Sequence, residues 1–110
     1  MEITEAEVLD LLNKWRSEER NVTCGILTII RDGKTLELGR VIGQIKTLSP
    51  GAVRVGSIYG PPGVQVFTYV EIPLTRVARY RYLEPKPLAE SCLRVHLEGG
   101  SIVFSLSVLP

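Results

Sequence analysis

The sequence predicts a mainly β fold carrying one N-terminal α-helix, and three observations point there. Residues 4–20 hold apolar side chains at three- and four-residue spacing, the period of an amphipathic helix. Almost everything after Asn21 is instead rich in β-branched residues broken by glycine and proline turns. At 110 residues and 45% hydrophobic content, the chain suffices for one core, so helix and strands belong to a single domain spanning 1–110.

Thr4 and Glu7 have the spacing of a capping box, in which each side chain accepts from the other residue's backbone amide. Val8, Leu11, Leu12 and Trp15 then form one stripe, with Asp10 and Lys14 on the opposite side. Asn21, which tolerates left-handed backbone and precedes Val22 and Thr23, is expected to end the helix.

A first strand over 22–31 runs into Asp32-Gly33, a strong hairpin signal. The next, from Thr35 to about Leu48, contains Gly39 and Gly43, residues that mark a bulge or bend and would let a short sheet curl. Ser49-Pro50-Gly51 is a turn, and Ala52–Tyr59 a third strand. Gly60-Pro61-Pro62-Gly63 reads as a rigid hairpin tip, since two of its four residues lack the amide N–H that a phosphate cradle needs. A fourth strand covers 64–72, Leu74-Thr75-Arg76 is one tight turn, and 77–83 is a fifth strand before the stiff spacer Glu84-Pro85-Lys86-Pro87. A hairpin over 92–109 turns at Gly99-Gly100. Its expected register pairs Leu97 with Ile102, Val95 with Phe104 and Leu93 with Leu106 on an apolar face, and His96 with Val103, Arg94 with Ser105 and Cys92 with Ser107 on a wetter one.

The order of elements over residues 4–83, with Ile29-Ile30-Arg31-Asp32-Gly33-Lys34, Gly43-Gln44-Ile45 and the stretch Val70 to Tyr80, resembles the Sm-like family of small barrels. SH3-like barrels share this strand order. The resemblance implies a small, bent, five-stranded SH3-like or Sm-like barrel, capped by the helix and extended by the C-terminal hairpin. It also implies ring assembly and RNA binding. The chain departs from the family where RNA is held. Lys46-Thr47-Leu48-Ser49-Pro50-Gly51 stands where an aspartate and an asparagine are usual, and Ile72-Pro73-Leu74-Thr75 stands where an Arg-Gly pair is usual.

Net charge is +1, which excludes a strongly basic protein held to nucleic acid by bulk charge. The charge is unevenly spread: residues 1–20 sum to −3 and residues 21–81 to +5. The plain expectation is that an acidic helix attracts a basic body. Arg76, Arg79 and Arg81 interleave with Tyr80 and Tyr82, and alternation puts Arg79 and Arg81 on one strand face and both tyrosines on the other. These five residues are the candidate contacts for RNA or a partner. The favoured reading pairs the arginines with helix acids such as Glu18 and Glu19 and half-buries the tyrosines; the alternative has them tracking a phosphate backbone and stacking on bases.

His96 is the lone histidine and has no sequence-local partner for acid-base or nucleophilic work, so no catalytic residue is named and no enzyme is expected. One histidine with two cysteines 68 positions apart, Cys24 and Cys92, does not make a structural zinc site, and no metal or other cofactor is expected. The cysteines read as small hydrophobes of a reducing compartment. An acidic N-terminus unlike a signal peptide, with no apolar run long enough to span a bilayer, suggests a cytoplasmic protein away from membranes. The uncharged, alternating end Ser105-Leu106-Ser107-Val108-Leu109-Pro110 either pairs inside its own barrel or across a subunit boundary; with an acidic helix and a basic body as complementary surfaces the second is expected, and with it a symmetric homo-oligomer. The function expected first is a non-enzymatic module for self-assembly or protein-partner binding. An Sm-like RNA-binding ring comes second, and a small-ligand pocket within the barrel third.

Overall fold

The helix α1 forms over Glu5–Ser17, where the capping box and the apolar stripe both act. Thr4 is the N-cap. Its hydroxyl accepts from the Glu7 amide at 3.2 Å, while the Glu7 carboxylate accepts from the Thr4 amide at 3.1 Å. Thr4→Ala should therefore lower stability by about 1 kcal/mol in a denaturant titration with an unchanged slope. The helix stops earlier than the sequence suggests. Glu18 is the C-cap, and Glu19, not Asn21, takes the left-handed conformation, at φ 52°. The reason is packing: Val22 is already fully buried as the first residue of the next strand, so the chain has to turn before Asn21.

A computed structural model describes residues 1–83 and 91–109. It contains β1 (Glu2–Ile3), β2 (Val22–Ile29), β3 (Thr35–Ser49), β4 (Ala52–Tyr59), β5 (Val66–Pro73), a 3₁₀ turn at Leu74–Arg76, β6 (Val77–Leu83), β7 (Cys92–Leu97) and β8 (Ile102–Val108). The spacer at 84–87 and Pro110 lie outside the described residues. Most strand limits fall within two residues of those read from sequence. The short β1, which pairs Glu2 with Arg81 and Ile3 with Tyr80, was not anticipated.

All eight strands join one antiparallel sheet in the order β1-β6-β7-β8-β2-β3-β4-β5. The fold is mainly β with one N-terminal helix, as the sequence predicts, but the sheet is strongly bent and open. It is not a closed five-stranded barrel with an appendage. The C-terminal hairpin accounts for the difference: β7 and β8 are inserted between β6 and β2, in the middle of the sheet. Val95 lies opposite Phe104 and Leu93 opposite Leu106, as expected, although the turn occupies Glu98–Ser101, with Gly99 and Gly100 both at positive φ.

The bend sits in β3, whose first part, Thr35 to Gly43, pairs with β2, while Gln44 to Ser49 pair with β4. Gly43 is the pivot. A Cβ there would run into the backbone of Gly56 on β4 and come within 2.7 Å of the Ser57 hydroxyl oxygen. A Cβ on Gly56 would strike the Thr68 carbonyl oxygen and approach the Tyr69 Cα to 2.7 Å. Backbones that close admit no side chain at either position.

The concave side holds the core. Val8, Leu12 and Trp15 of α1 join Val22 and Cys24 of β2, Ile45 of β3, Val53 and Val55 of β4, Ile72 of β5, and Leu93, Val95 and Leu106 of the C-terminal hairpin. Cys24 is wholly buried there, and burial pushes its thiol up to about 12, so it stays a neutral hydrophobe. Cys92 is on the opposite sheet face with its Sγ 3.2 Å from the Ser105 hydroxyl, and both cysteines are free.

Candidate functional site

Strand pairing settles where the five singled-out residues go. Tyr80 points into the core and is 7% exposed, and Tyr82 packs against the same cluster from a half-buried position. Both therefore lie on the core side of the sheet and not on the face that carries Arg79 and Arg81. The Tyr80 hydroxyl is raised above its ordinary pKa, first by burial and then by the Glu5 charge. Arg76 is exposed in the 3₁₀ turn, off the strand.

Arg79 and Arg81 lie on the convex outer face. There β6 pairs with β7, so that Arg79 stands opposite His96 and Arg81 opposite Arg94. The helix acids do not meet these arginines. Glu18 pairs with Arg20 at 3.7 Å, and Arg79 is within 3.9 Å of Glu2, an exposed contact worth little. An acidic helix clamped to a basic strand is therefore not what joins the two, because the helix is held by Val8, Leu12 and Trp15.

The cross-strand register extends this face across the sheet. Glu2, Arg81, Arg94, Ser105, Gly25 and Arg40 occupy one transverse row, each opposite the next on neighbouring strands. The adjacent row runs Arg79, His96, Val103, Leu27 and Glu37. Gly25, with no side chain, leaves a hollow in the first row. A groove of about 410 Å³ opens there, lined by Thr23, Gly25, Leu27, Glu37, Arg40, Ser105, Ser107 and Leu109. At its far side Arg40 is neutralised by Glu37, with Nε 2.6 Å from the carboxylate. At its near side Arg94 and Arg81 have no such partner among the described residues.

The electrostatics follow from that asymmetry. The His96 imidazole is pulled below its ordinary pKa, chiefly by burial and then by Arg79, Arg81 and Arg94, with Glu2 opposing, so the ring is neutral at pH 7. Val103 is only 2% exposed yet lies on this outer face, opposite His96 and Leu27. Sequence reasoning found Arg94 opposite Ser105 and His96 opposite Val103, but not that β6 would lie against β7 and bring three arginines together. Thr23, Gly25 and Arg40 gave no signal of their own.

Further exposed apolar side chains lie on both sides of the bend. The β4–β5 hairpin leaves Ile58, Tyr59, Val64, Val66 and Tyr69 exposed, and β3 leaves Leu36, Leu38 and Ile42 exposed. Phe67 stacks on Tyr69 at 4.9 Å, and Arg54 lies over the Tyr69 ring at 4.8 Å while binding Glu71 at 2.8 Å. Among the described residues β5 pairs only with β4, so its other side is a free edge there. The strand expected to be the sticky edge, β8, is instead paired on both sides, with β7 and with β2, and so is not an edge.

Among the described residues, no group of three or more His, Cys, Asp or Glu side chains is placed to hold a metal ion. No helix there is long and apolar enough to cross a membrane. Fold and surface together define a small, mainly β protein built on one open, bent antiparallel sheet. Comparison with protein-family models, curated proteins and solved structures gives no match to this chain.

Proposed function

We propose that this protein is a non-enzymatic binding module that assembles with a second copy of itself through the free edge of β5. The observation that carries the reading is that no strand among the described residues pairs with that edge. Native sheets blunt their edges with lysine, bulges or covering segments, because unpaired N–H and C=O groups recruit other strands. β5 reads Val66-Phe67-Thr68-Tyr69-Val70-Glu71-Ile72-Pro73, with one charge, no lysine and no irregularity in its register with β4. Pairing of β5 with its own copy about a two-fold axis satisfies both edges at once. A stable dimer buries roughly 1,200–2,000 Å² in total. That requires the flanking apolar side chains, and Tyr59, Val64, Val66 and Tyr69 are exposed beside the edge.

Light scattering coupled to size exclusion at micromolar concentration tests this. The expected mass is twice 12.2 kDa, reduced to 12.2 kDa by Thr68→Lys, which places a charge at an exposed position of the edge. A mass of 12.2 kDa for the unaltered chain across a tenfold dilution would overturn the proposal, as would an oligomer that ignores the lysine.

A further inference from the structure

We propose that Arg79, Arg81, Arg94 and His96 form an anion site for the phosphate group of a small polar molecule, the remainder of which lies in the adjoining groove.

The four residues occupy a two-by-two block on the outer face of β6 and β7. Side chains on one strand face repeat about every 7 Å and neighbouring strands lie about 4.8 Å apart, so the block has the footprint of one tetrahedral oxyanion. Its composition is costly without a ligand. Arg81 directly faces Arg94, and like charges in opposed positions destabilise a sheet. Two polar atoms in the block, Arg94 Nε and His96 Nε2, are buried with no hydrogen-bond partner among the described residues. Arg94 Nε is a donor, and His96 Nε2 is one in its Nε2–H tautomer; an orphaned buried donor carries a penalty that an acceptor would remove. Among the described residues the carboxylate paired with the block is Glu2, which is solvent-exposed and 3.9 Å from Arg79, a contact that an incoming phosphate can displace.

The groove gives the ligand its class. It starts one strand beyond Arg94, at Ser105, and its walls carry the hydroxyls of Thr23, Ser105 and Ser107 and, at the far side, the Arg40–Glu37 pair. Such a lining suits a hydroxylated body. A nucleic-acid strand fits less well, because Tyr80 and Tyr82 face the other side and Arg40, the next cation along the row, is already neutralised.

The test is titration of the isotope-labelled full chain, followed by amide chemical shifts, with ribose 5-phosphate and inorganic phosphate as probes and chloride at matched ionic strength as control. Ribose 5-phosphate is expected to shift the amides of residues 79–81 and 94–96 and to bind at least about threefold more tightly than inorganic phosphate. Arg81→Gln and Arg94→Gln should each weaken both probes about tenfold. Thr23→Val, in the groove and away from the block, should remove only the advantage of the sugar phosphate. The amide spectra show directly whether each variant is folded. Shifts no larger than those from chloride overturn the site, and equal binding of the two probes overturns the role of the groove. An affinity for oligouridylate that climbs with length, with shifts spreading to Arg40, overturns the compact site in favour of an extended polyanion track.

Discussion

Phe104→Ala is expected to cost the fold about 3 to 5 kcal/mol, the usual range for truncating a buried phenylalanine. Phe104 is 7% exposed and stands opposite both Val95 and Ile26, since β8 is paired on each side. Its ring therefore contributes to the core from the middle of the sheet, where strands on either side hold the backbone in place and limit collapse into the vacancy. A denaturant titration measures the change. A loss under about 1 kcal/mol would mean that the ring is not part of the core.

Gly56→Ala should be comparably damaging for the opposite reason, with an expected loss of at least about 3 kcal/mol, beyond the common range for overpacking. The new methyl collides with the carbonyl oxygen of Thr68 and with Tyr69, and these atoms belong to the backbone and Cβ of the adjacent strand and cannot swing aside. Gly33→Ala is a useful comparison, because that glycine has φ 75° and open space around it. It should cost only the backbone strain of an L-residue in left-handed geometry, about 1 kcal/mol. If the two substitutions prove equally mild in thermal unfolding, the three strands do not cross as closely as described.

Local rules carried much of this fold. The capping box, the Asp32-Gly33 and Gly99-Gly100 turns and the bend at Gly43 each depend on a few adjacent residues, and all are where the sequence places them. The end of the helix was misplaced because burial of Val22, a tertiary demand, overrode the preference of Asn21 for left-handed backbone. The barrel was misjudged for a related reason. Alternation within 92–108 gives the register of a hairpin but says nothing about which strands lie beside it. The candidate site shows the same limit, since Arg79 and Arg81 were legible as a pair, while their meeting with Arg94 depends on β6 choosing β7 as neighbour.

The central ladder of the sheet joins segments far apart in the chain, with Val22 opposite Val108 and Cys24 opposite Leu106. Contacts so distant in sequence are slow to form, because the closure of a long loop is entropically unfavourable until the pairing is made. The hairpin that bridges β6 to β2 follows both of them in sequence. The chain can thus build α1 and the β2–β5 meander from nearer contacts, while β2 and β6 each keep an uncompleted edge until the hairpin inserts. Those two open edges are where a partly folded molecule is most exposed to pairing with another chain.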